Sequence, residues 1–393
     1  MKIIFLVDFL PSRNRTAGGL QNYVLRVAQT LHALGDEVHV VCKPNIHIDQ
    51  HDFPVRTIRI SYKEKKMLQL IQSMTFHVID SSLKLILDAW AVRRECEKIP
   101  NVDIIQSPNY LFMGLFIKRK SNKLIVRASS YRPIWTEDVK NSPDGRLNSY
   151  LEKILFKRAD HIFAPSQHLA KILEEKLNRQ VDVLPSPAPD TGIIENTNWY
   201  DENLRDKKYI LYFGTLLKRK GLFILAQAMR VVWAKQPEIL LVLVGPDLTV
   251  DKRSNHARFL EIIDPYQSST IYASSLGHKA LFPVIKNSYF TVSPAIEDNC
   301  PNSMLEAMAL GKVVLGTIGS SMDEFYPAAC QDLLVPRENS QLLAEKIMWL
   351  WNFPQDKIDQ YGAECKNYVE NNHSLIKSAL ALREYYERKS SSD

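Results

Sequence analysis

Asp298 and Glu306 are the first candidates for functional residues, because they lie on either side of the start of a short predicted helix. Asp298 falls in a polar loop after the apolar run 289–292, and Glu306 falls inside the helix. Pro301 suits a first helical residue, which needs no N–H, and Gly311 suits a helix end. The free N–H groups and the positive dipole end of such a helix bind phosphate. The segment therefore predicts a phosphate site with two acids beside it, unless it is an ordinary strand, turn and helix with solvated acids.

The pattern Asp298, seven residues and then Glu306 resembles the signature of the retaining glycosyltransferases of family 4. The intervening sequence Asn-Cys-Pro-Asn-Ser at residues 299–303 looks like a variant that is common in that family. The resemblance implies the GT-B fold, an α/β architecture of two Rossmann-like domains with doubly wound parallel sheets that face a cleft. It extends over nearly the whole chain and is most specific over residues 209–336.

The resemblance also implies roles for the acidic segment. Asp298 would contact hydroxyls of the donor sugar, and Glu306 would bind the nucleotide ribose. Backbone N–H groups near Asn302 and Ser303 would hold the phosphate. The family usually has Glu at the first acidic position, whereas here Glu297 precedes Asp298. Which of these two acids reaches the sugar is therefore left open.

A basic loop after the predicted strand 209–213 resembles the family's phosphate clamp. Lys220 and the glycine after it match the family pattern, but Thr215 stands where the family usually has Arg. Arg219 or Lys218 is then the source of a second positive charge. Two cations on a diphosphate would stabilise the charge that builds on a departing nucleotide. The alternative is that Lys220 is an ordinary surface lysine.

The N-terminal residues predict a β-α-β unit. An apolar run at residues 2–7 is followed by a polar loop at 8–17, and Gly18 and Gly19 then open a helix over residues 20–34. Paired glycines at such a turn allow close approach of a ligand. In the resembled family this loop faces the donor phosphates and the acceptor. No G-x-G-x-x-G motif follows the first strand of either half, which argues against a dinucleotide dehydrogenase.

Residues 67–97 predict a long helical region, preceded by the basic segment 63–66. Two interpretations stay open: a surface that contacts a membrane or a lipid-linked acceptor, and an ordinary helix with one buried face. Many members of the resembled family carry His after the strand predicted at 124–126. Residues 127–131 here read Arg-Ala-Ser-Ser-Tyr, so we assign no general base.

Three prolines within residues 181–189 predict a semi-rigid connector between domains. We predict an acceptor-binding domain at 1–190 and a nucleotide-sugar-binding domain at 191–373. The resemblance implies that a helix at about 374–393 returns to the first domain.

Composition and charge indicate which partners and which cellular compartment suit the protein. Residues 1–195 hold 28 Lys and Arg against 21 Asp and Glu, or +7, and the remainder carries −1, which sums to the net charge of +6. This surplus favours anionic partners. It is spread out without interleaved aromatics, which argues against nucleic acid. Five cysteines without a C-x-x-C pair, and no long apolar run, fit a reducing cytoplasm.

The sequence therefore predicts a cytoplasmic, metal-independent, retaining glycosyltransferase, with the inner membrane face as a candidate location. It would move a sugar from a nucleotide diphosphate sugar, its co-substrate, to a glycan or lipid-linked acceptor in surface polysaccharide or glycolipid assembly, and it would need no other cofactor. The alternatives are a sugar-nucleotide epimerase of the same fold and a catalytically silent, membrane-associated binding protein. The predicted catalytic residues are Asp298, Lys220 and Glu306. The predicted donor-binding residues are Gly18, Gly19, Gly214, Thr215, Arg219, Lys220, Gly245, Leu276, Asp298, Asn299, Cys300, Pro301, Asn302, Ser303, Leu305 and Glu306.

Overall fold

A computed structural model describes residues 1–11, 18–44, 51–119, 121–131, 142–188, 191–192, 195–250 and 253–391. The chain divides into two compact units. Unit 1 comprises Met1–Pro187 and Leu375–Asp393, and unit 2 comprises Ala188–Ser374. Residues 12–17 of the predicted loop and residue 189 of the predicted connector lie outside the described residues.

Unit 1 contains a seven-stranded sheet in the order β3-β2-β1-β4-β5-β6-β7, and all of its pairings are parallel. Successive side chains of the first strand belong to two different cores: Ile4 and Leu6 to one, Ile3 and Phe5 to the other. Both faces of the sheet are therefore covered, which explains the continuous apolar run. The strands are β1 Lys2–Leu6, β2 Glu37–Cys42, β3 Val55–Thr57, β4 Ile104–Pro108, β5 Lys123–Arg127, β6 His161–Ala164 and β7 Asp182–Val183.

The helical region predicted over residues 67–97 is interrupted by a turn. Two helices occupy this region, because Phe76 and His77 adopt left-handed backbone angles with φ of 48° and 61°. No helix among the described residues combines the length and apolar character needed to cross a bilayer. The helices of unit 1 are α1 Gly19–Ala33, α2 Tyr62–Met74, α3 Asp80–Cys96, α4 Pro143–Arg158, α5 Gln167–Leu177 and α13 Leu375–Ser390.

Helix α13 is part of unit 1 although all of unit 2 precedes it in the sequence. The Tyr386 hydroxyl donates to Oε1 of Gln106, in the middle of β4, at 2.5 Å. Arg383 Nε lies 3.3 Å from Asp36 Oδ2, and the Asp36 side chain is fully buried. Both contacts join α13 to residues near the first strands of the chain.

Unit 2 contains a six-stranded parallel sheet in the order β12-β9-β8-β13-β14-β15, beside a short antiparallel ribbon. The doubly wound parallel fold that the sequence predicts is thus confirmed in both halves. The strands are β8 Tyr209–Phe213, β9 Leu240–Val244, β10 Thr249–Val250, β11 Arg253–Ser254, β12 Thr270–Ala273, β13 Phe290–Val292, β14 Val314–Ile318 and β15 Leu334–Pro336. The helices are α6 Asn198–Asn203, α7 Leu222–Trp233, α8 Asn255–Ile263, α9 His278–Lys286, α10 Asn302–Ala309, α11 Ser340–Trp351 and α12 Gln355–Asn372.

Candidate functional site

The strand order of unit 2 reverses between β8 and β13. On one side of this point β9 lies next to β8 and follows it in the chain. On the other side β14 lies next to β13 and follows it in the chain. In open α/β sheets ligands bind in the crevice outside the carboxyl ends of two such strands. The basic loop after β8 and the acidic loop after β13 both begin at this point, so the two predicted charge clusters belong to one place.

The two loops are fastened together by backbone contacts. The Arg219 carbonyl accepts hydrogen bonds from the N–H groups of Ile296 at 2.9 Å and Glu297 at 3.2 Å. Gly221 has φ of 76°, and a Cβ there would lie 1.7 Å from the Pro294 carbonyl oxygen. Only glycine fits this backbone angle and this spacing together. The glycine that resembled a family motif therefore sets the distance between the two loops.

Lys220 and Asp298 form an ion pair across these loops. Their side chains are 23% and 6% exposed. Asp298 also accepts a hydrogen bond at Oδ1 from the N–H of Asn299, at 2.8 Å. Burial of a carboxylate costs free energy unless a cation and hydrogen bonds compensate for the lost water. The structure thus joins two residues that the sequence analysis selected from separate motifs.

The loop after β14 supports Asp298 from a third side. The N–H of Asp298 donates to the Ser320 carbonyl at 3.2 Å, and the Ser321 hydroxyl donates to the Asp298 carbonyl at 2.8 Å. Thr317 Oγ1 donates to the Ala295 carbonyl at 2.6 Å. These residues were not among the predicted site residues. The available signal was a run of small polar residues around a glycine directly after a predicted strand.

Glu297 has a different partner from Asp298. Its Oε1 lies 2.7 Å from Nη1 of Arg337, which also donates to the Ile296 carbonyl at 3.2 Å. The two acids are adjacent in the loop after β13, but they contact different cations. Of the pair left open by the sequence, Asp298 is the one held beside Lys220.

Helix α10 begins one residue later than predicted. Pro301 is its N-cap and not its first helical residue, and the first intrahelical hydrogen bond runs from the Leu305 N–H to the Pro301 carbonyl at 3.0 Å. The N–H groups of Ser303 and Met304 precede that bond and point off the helix end. The Asn302 N–H donates to the Cys300 carbonyl at 2.9 Å. The Ser303 end of the predicted phosphate site thus has the geometry of an anion-binding helix terminus.

Glu306 on α10 faces His278 at the start of α9. His278 Nε2 lies 3.2 Å from Glu306 Oε1, and the side chains are 38% and 12% exposed, respectively. The His278 ring also packs edge-on against Phe282, with centroids 5.6 Å apart. From the sequence alone His278 could stack on the nucleotide base or face solvent, because a histidine in a predicted loop carries no signal of its neighbour. The pair holds the Glu306 carboxylate in a defined position.

The other predicted donor residues lie in several places. Thr215 follows β8, and its carbonyl accepts a hydrogen bond from the Tyr212 hydroxyl at 3.3 Å. Gly245 ends β9 with φ of 150°, and a Cβ there would lie 2.0 Å from the carbonyl oxygen of Gly214. Leu276 is half-buried in the loop between β12 and α9. Gly18 and Gly19 lie at the start of α1 in unit 1, where Gly18 is the N-cap.

A buried polar cluster lies at the corresponding switch point of unit 1, between β1 and β4. The Arg127 guanidinium lies 4.0 Å from the centre of the Tyr23 ring and donates to Ser186 Oγ at 2.8 Å. Burial raises the pKa of Tyr23, and the nearby charge of Arg127 opposes that rise. Burial raises the pKa of Tyr110 to about 12, and the charge of Asp8 adds to that rise. Arg127 ends β5, so a permanent cation precedes the stretch in which many family members carry His.

Residues 17–189 match the family Glycosyltransferase Family 4, and residues 196–371 match Glycosyl transferases group 1. The chain belongs to the family 4 glycosyltransferases. An uncharacterised glycosyltransferase of Methanocaldococcus jannaschii is 21% identical over 290 residues, which cover 71% of each chain.

The fold of this glycosyltransferase is GT-B, as its solved neighbours show. Sucrose-phosphate synthase from Thermosynechococcus elongatus aligns with a TM-score of 0.77 and 17% identity over 99% of both chains. The Anabaena protein HepE in complex with UDP and glucose aligns with a TM-score of 0.72 and 16% identity, over 99% of this chain and 100% of HepE. At these identities the likeness establishes the fold and leaves the substrates to the site itself.

Proposed function

We propose that this glycosyltransferase moves a sugar from a nucleotide diphosphate sugar to an acceptor hydroxyl with retention of anomeric configuration. The observation that carries the proposal is the contact between Lys220 and Asp298 at the switch point of unit 2, beside the start of α10. One site there offers a cation, a helix terminus and a carboxylate. These groups match a diphosphate and a sugar hydroxyl. The UDP and glucose bound by HepE make uridine nucleotides the first donors to test.

Each group has a separate task in the proposed site. Glu306, oriented by His278, holds the ribose hydroxyls. Lys220, with Arg219 on the same turn and the N–H groups at the start of α10, holds the diphosphate. An ammonium group has three N–H donors, and Asp298 engages one side of it, so further donors serve phosphate oxygens. A remaining lone pair of the Asp298 carboxylate accepts a hydrogen bond from a sugar hydroxyl and positions it.

The chemistry follows from this distribution of charge. The bond between the anomeric carbon and the diphosphate oxygen breaks, and its electron pair stays on that oxygen. Fixed positive groups stabilise the negative charge as it develops, which is where preorganised electrostatics contribute most. The acceptor hydroxyl forms the new bond on the face that the nucleotide leaves, and its proton passes to the departing phosphate.

Binding of the donor is tested by thermal stability against a panel of nucleoside diphosphates and their sugars. A ligand at about 100 times its dissociation constant adds roughly 2.7 kcal/mol to the free energy of unfolding. We expect one nucleotide to raise the melting temperature of the wild-type protein and to lose most of that effect in Glu306→Ala. Glu345→Ala is the matched control, because Glu345 is an exposed acid on α11 of the same unit.

The pattern of the shifts decides between the possible results. An equal rise in both glutamate variants would refute the ribose role of Glu306. No rise with any nucleotide in the wild-type protein would refute the proposed donor class. Incubation of the donor without an acceptor separates transfer from epimerisation, since an epimerase would convert the donor sugar alone.

Removal of divalent metal provides a second test of the site. Lysine, arginine and backbone dipoles supply the positive charge in the proposed mechanism, so we expect excess EDTA to leave the transfer rate within about twofold of its starting value. The rate is measured as nucleotide diphosphate released in the presence of acceptor. Loss of activity with EDTA and recovery with Mg²⁺ or Mn²⁺ would contradict metal independence.

We place the reaction in surface polysaccharide or glycolipid assembly on the cytoplasmic side of a membrane. The basic surplus of residues 1–195 supports this placement, because lipid-linked acceptors are commonly anionic. The experiment is a comparison of lipid-linked and free glycan acceptors with the donor found by thermal stability. Preference for a free sugar acceptor would contradict it.

A further inference from the structure

Residues 62–78 of unit 1 expose an unusual number of large apolar side chains. Scattered exposed apolar residues need no explanation, whereas a contiguous group marks an interaction surface. The exposed fractions of the three most exposed are 87% for Phe76, 79% for Tyr62 and 71% for Met74. The exposed apolar residues of this segment are Tyr62, Met67, Leu70, Met74, Phe76 and Val78.

The exposed residues of α2 form a stripe along the helix. Met67, Leu70 and Met74 have the i, i+3, i+7 spacing that places side chains on one face of a helix. Leu68 and Ile71 are half-buried, and α2 contacts α3. None of the α2 side chains is fully buried. The helix thus has a partly covered inner side and an outer apolar stripe that the described residues of unit 1 leave uncovered.

Local contacts stabilise the start of α2 and hold it against α3. Ser61 and Glu64 form a capping box, in which the Ser61 N–H donates to Glu64 Oε2 at 2.7 Å. Arg94 Nη1 donates to Glu64 Oε1 at 2.7 Å. Phe76 has φ of 48°, which is uncommon for a bulky residue. The helix is capped and tethered while its apolar stripe and Phe76 stay in solvent.

Three lysines lie on the N-terminal half of α2, two of them, Lys63 and Lys66, on or beside the stripe. Lys63, Lys65 and Lys66 are exposed, and among the described residues none of them forms an ion pair. Lys63 lies one turn before Met67 on the stripe itself. Glu64 is the sole acid on α2, and Arg94 already neutralises it. The outer surface of α2 is therefore apolar and positively charged.

We propose that α2 and Phe76 dock on the surface of a membrane that contains anionic lipid. A helix with this composition lies in the plane of the interface, with its apolar stripe among the acyl chains and its lysines at the head groups. A second copy of the chain is a poorer occupant, because a symmetric contact through the stripe would bring Lys63 and Lys66 of each copy close to those of the other. The surface lies on the domain predicted to bind the acceptor.

Flotation with lipid vesicles tests the proposal. We use vesicles of phosphatidylcholine alone and vesicles that also contain phosphatidylglycerol, with the full chain at low and high salt. We expect binding to the anionic vesicles only, and weaker binding at high salt. The triple variant Met67→Ser, Leu70→Ser, Phe76→Ser should bind at least a hundredfold more weakly, since each apolar side chain withdrawn from the membrane costs more than about fivefold.

A charge variant and a control variant complete the experiment. Replacing Lys63, Lys65 and Lys66 with Gln should weaken binding on the order of a hundredfold, because each lysine near an anionic surface contributes about fivefold. The control replaces three apolar residues exposed elsewhere, Leu342, Ile376 and Leu380, with Ser. It should bind as the wild-type protein does. Circular dichroism and melting temperature establish that each variant is folded.

Several results would overturn the proposal. These are equal binding to both kinds of vesicle, unchanged binding of the apolar variant, or equal losses in the control. Self-association that the apolar variant abolishes, without vesicle binding, would assign the surface to a second copy instead. The assay contains no nucleotide or acceptor, so its outcome is independent of the proposed donor chemistry.

Discussion

Replacing Lys220 with Met is expected to lower the transfer rate about 10²–10³-fold, because the departing diphosphate loses a preorganised positive charge. The measurement is steady-state release of nucleotide diphosphate at saturating donor. The same change leaves the buried carboxylate of Asp298 without its charged partner. We therefore also expect the free energy of unfolding to fall by about 1–3 kcal/mol in denaturant titrations.

Two further variants separate catalysis from folding. In Lys220→Met with Asp298→Asn the buried charge is gone, so we expect the free energy of unfolding to recover at least partly while activity stays low. Lys235→Met, which changes an exposed lysine after α7, should alter neither quantity appreciably. A Lys220→Met enzyme within threefold of the wild-type rate would refute the role given to this lysine.

Replacing Gly221 with Ala is expected to damage both folding and activity. Its left-handed angle costs a residue with a side chain about 1–2 kcal/mol, and displacement of the Pro294 backbone costs a further 1–3 kcal/mol. We expect the free energy of unfolding to fall by about 2–5 kcal/mol. The displaced backbone leads directly to Asp298, and a misplacement of about 1 Å lowers rates on the order of a hundredfold.

Gly35 provides a matched control for this substitution. It also has a left-handed angle, with φ of 91°, but a Cβ there meets nothing within 4 Å. Gly35→Ala should therefore cost only about 1–2 kcal/mol and leave the turnover number unchanged. If both alanine variants lost the same stability and kept the same activity, the contact with Pro294 would have no functional importance.

The fold could be predicted from the sequence because the strands of both sheets are buried on both faces. Continuous apolar runs such as residues 209–213, separated by helical patterns, leave few arrangements other than a doubly wound parallel sheet. The turn that interrupts the predicted helical region at residues 67–97 was not predicted, and the reason is clear. Phe76 and His77 adopt backbone angles that their residue types rarely take, so composition gave no sign of the turn.

The sequence identified the charged residues of the candidate site better than their partners. Lys220, Asp298 and Glu306 stood in motifs with fixed spacing. The contacts of these residues depend on which loops lie next to each other. The order of the strands in the sheet determines which loops are neighbours. His278 beside Glu306 and Arg337 beside Glu297 are therefore visible only in the folded chain. Pairings between distant segments carry no local pattern from which to predict them.

The position of α13 has a consequence for how the protein is made. Unit 1 is discontinuous in sequence, and Gln106 in β4 receives its hydrogen bond from Tyr386 only after the whole of unit 2 has been synthesised. Until then the surface that α13 covers, with the buried carboxylate of Asp36, is open on the nascent chain. Unit 2 has all of its strands in one continuous segment and can fold first once it leaves the ribosome. A translation stop before residue 375 would thus yield a folded unit 2 attached to an incomplete unit 1, and such a chain is a substrate for quality-control proteases.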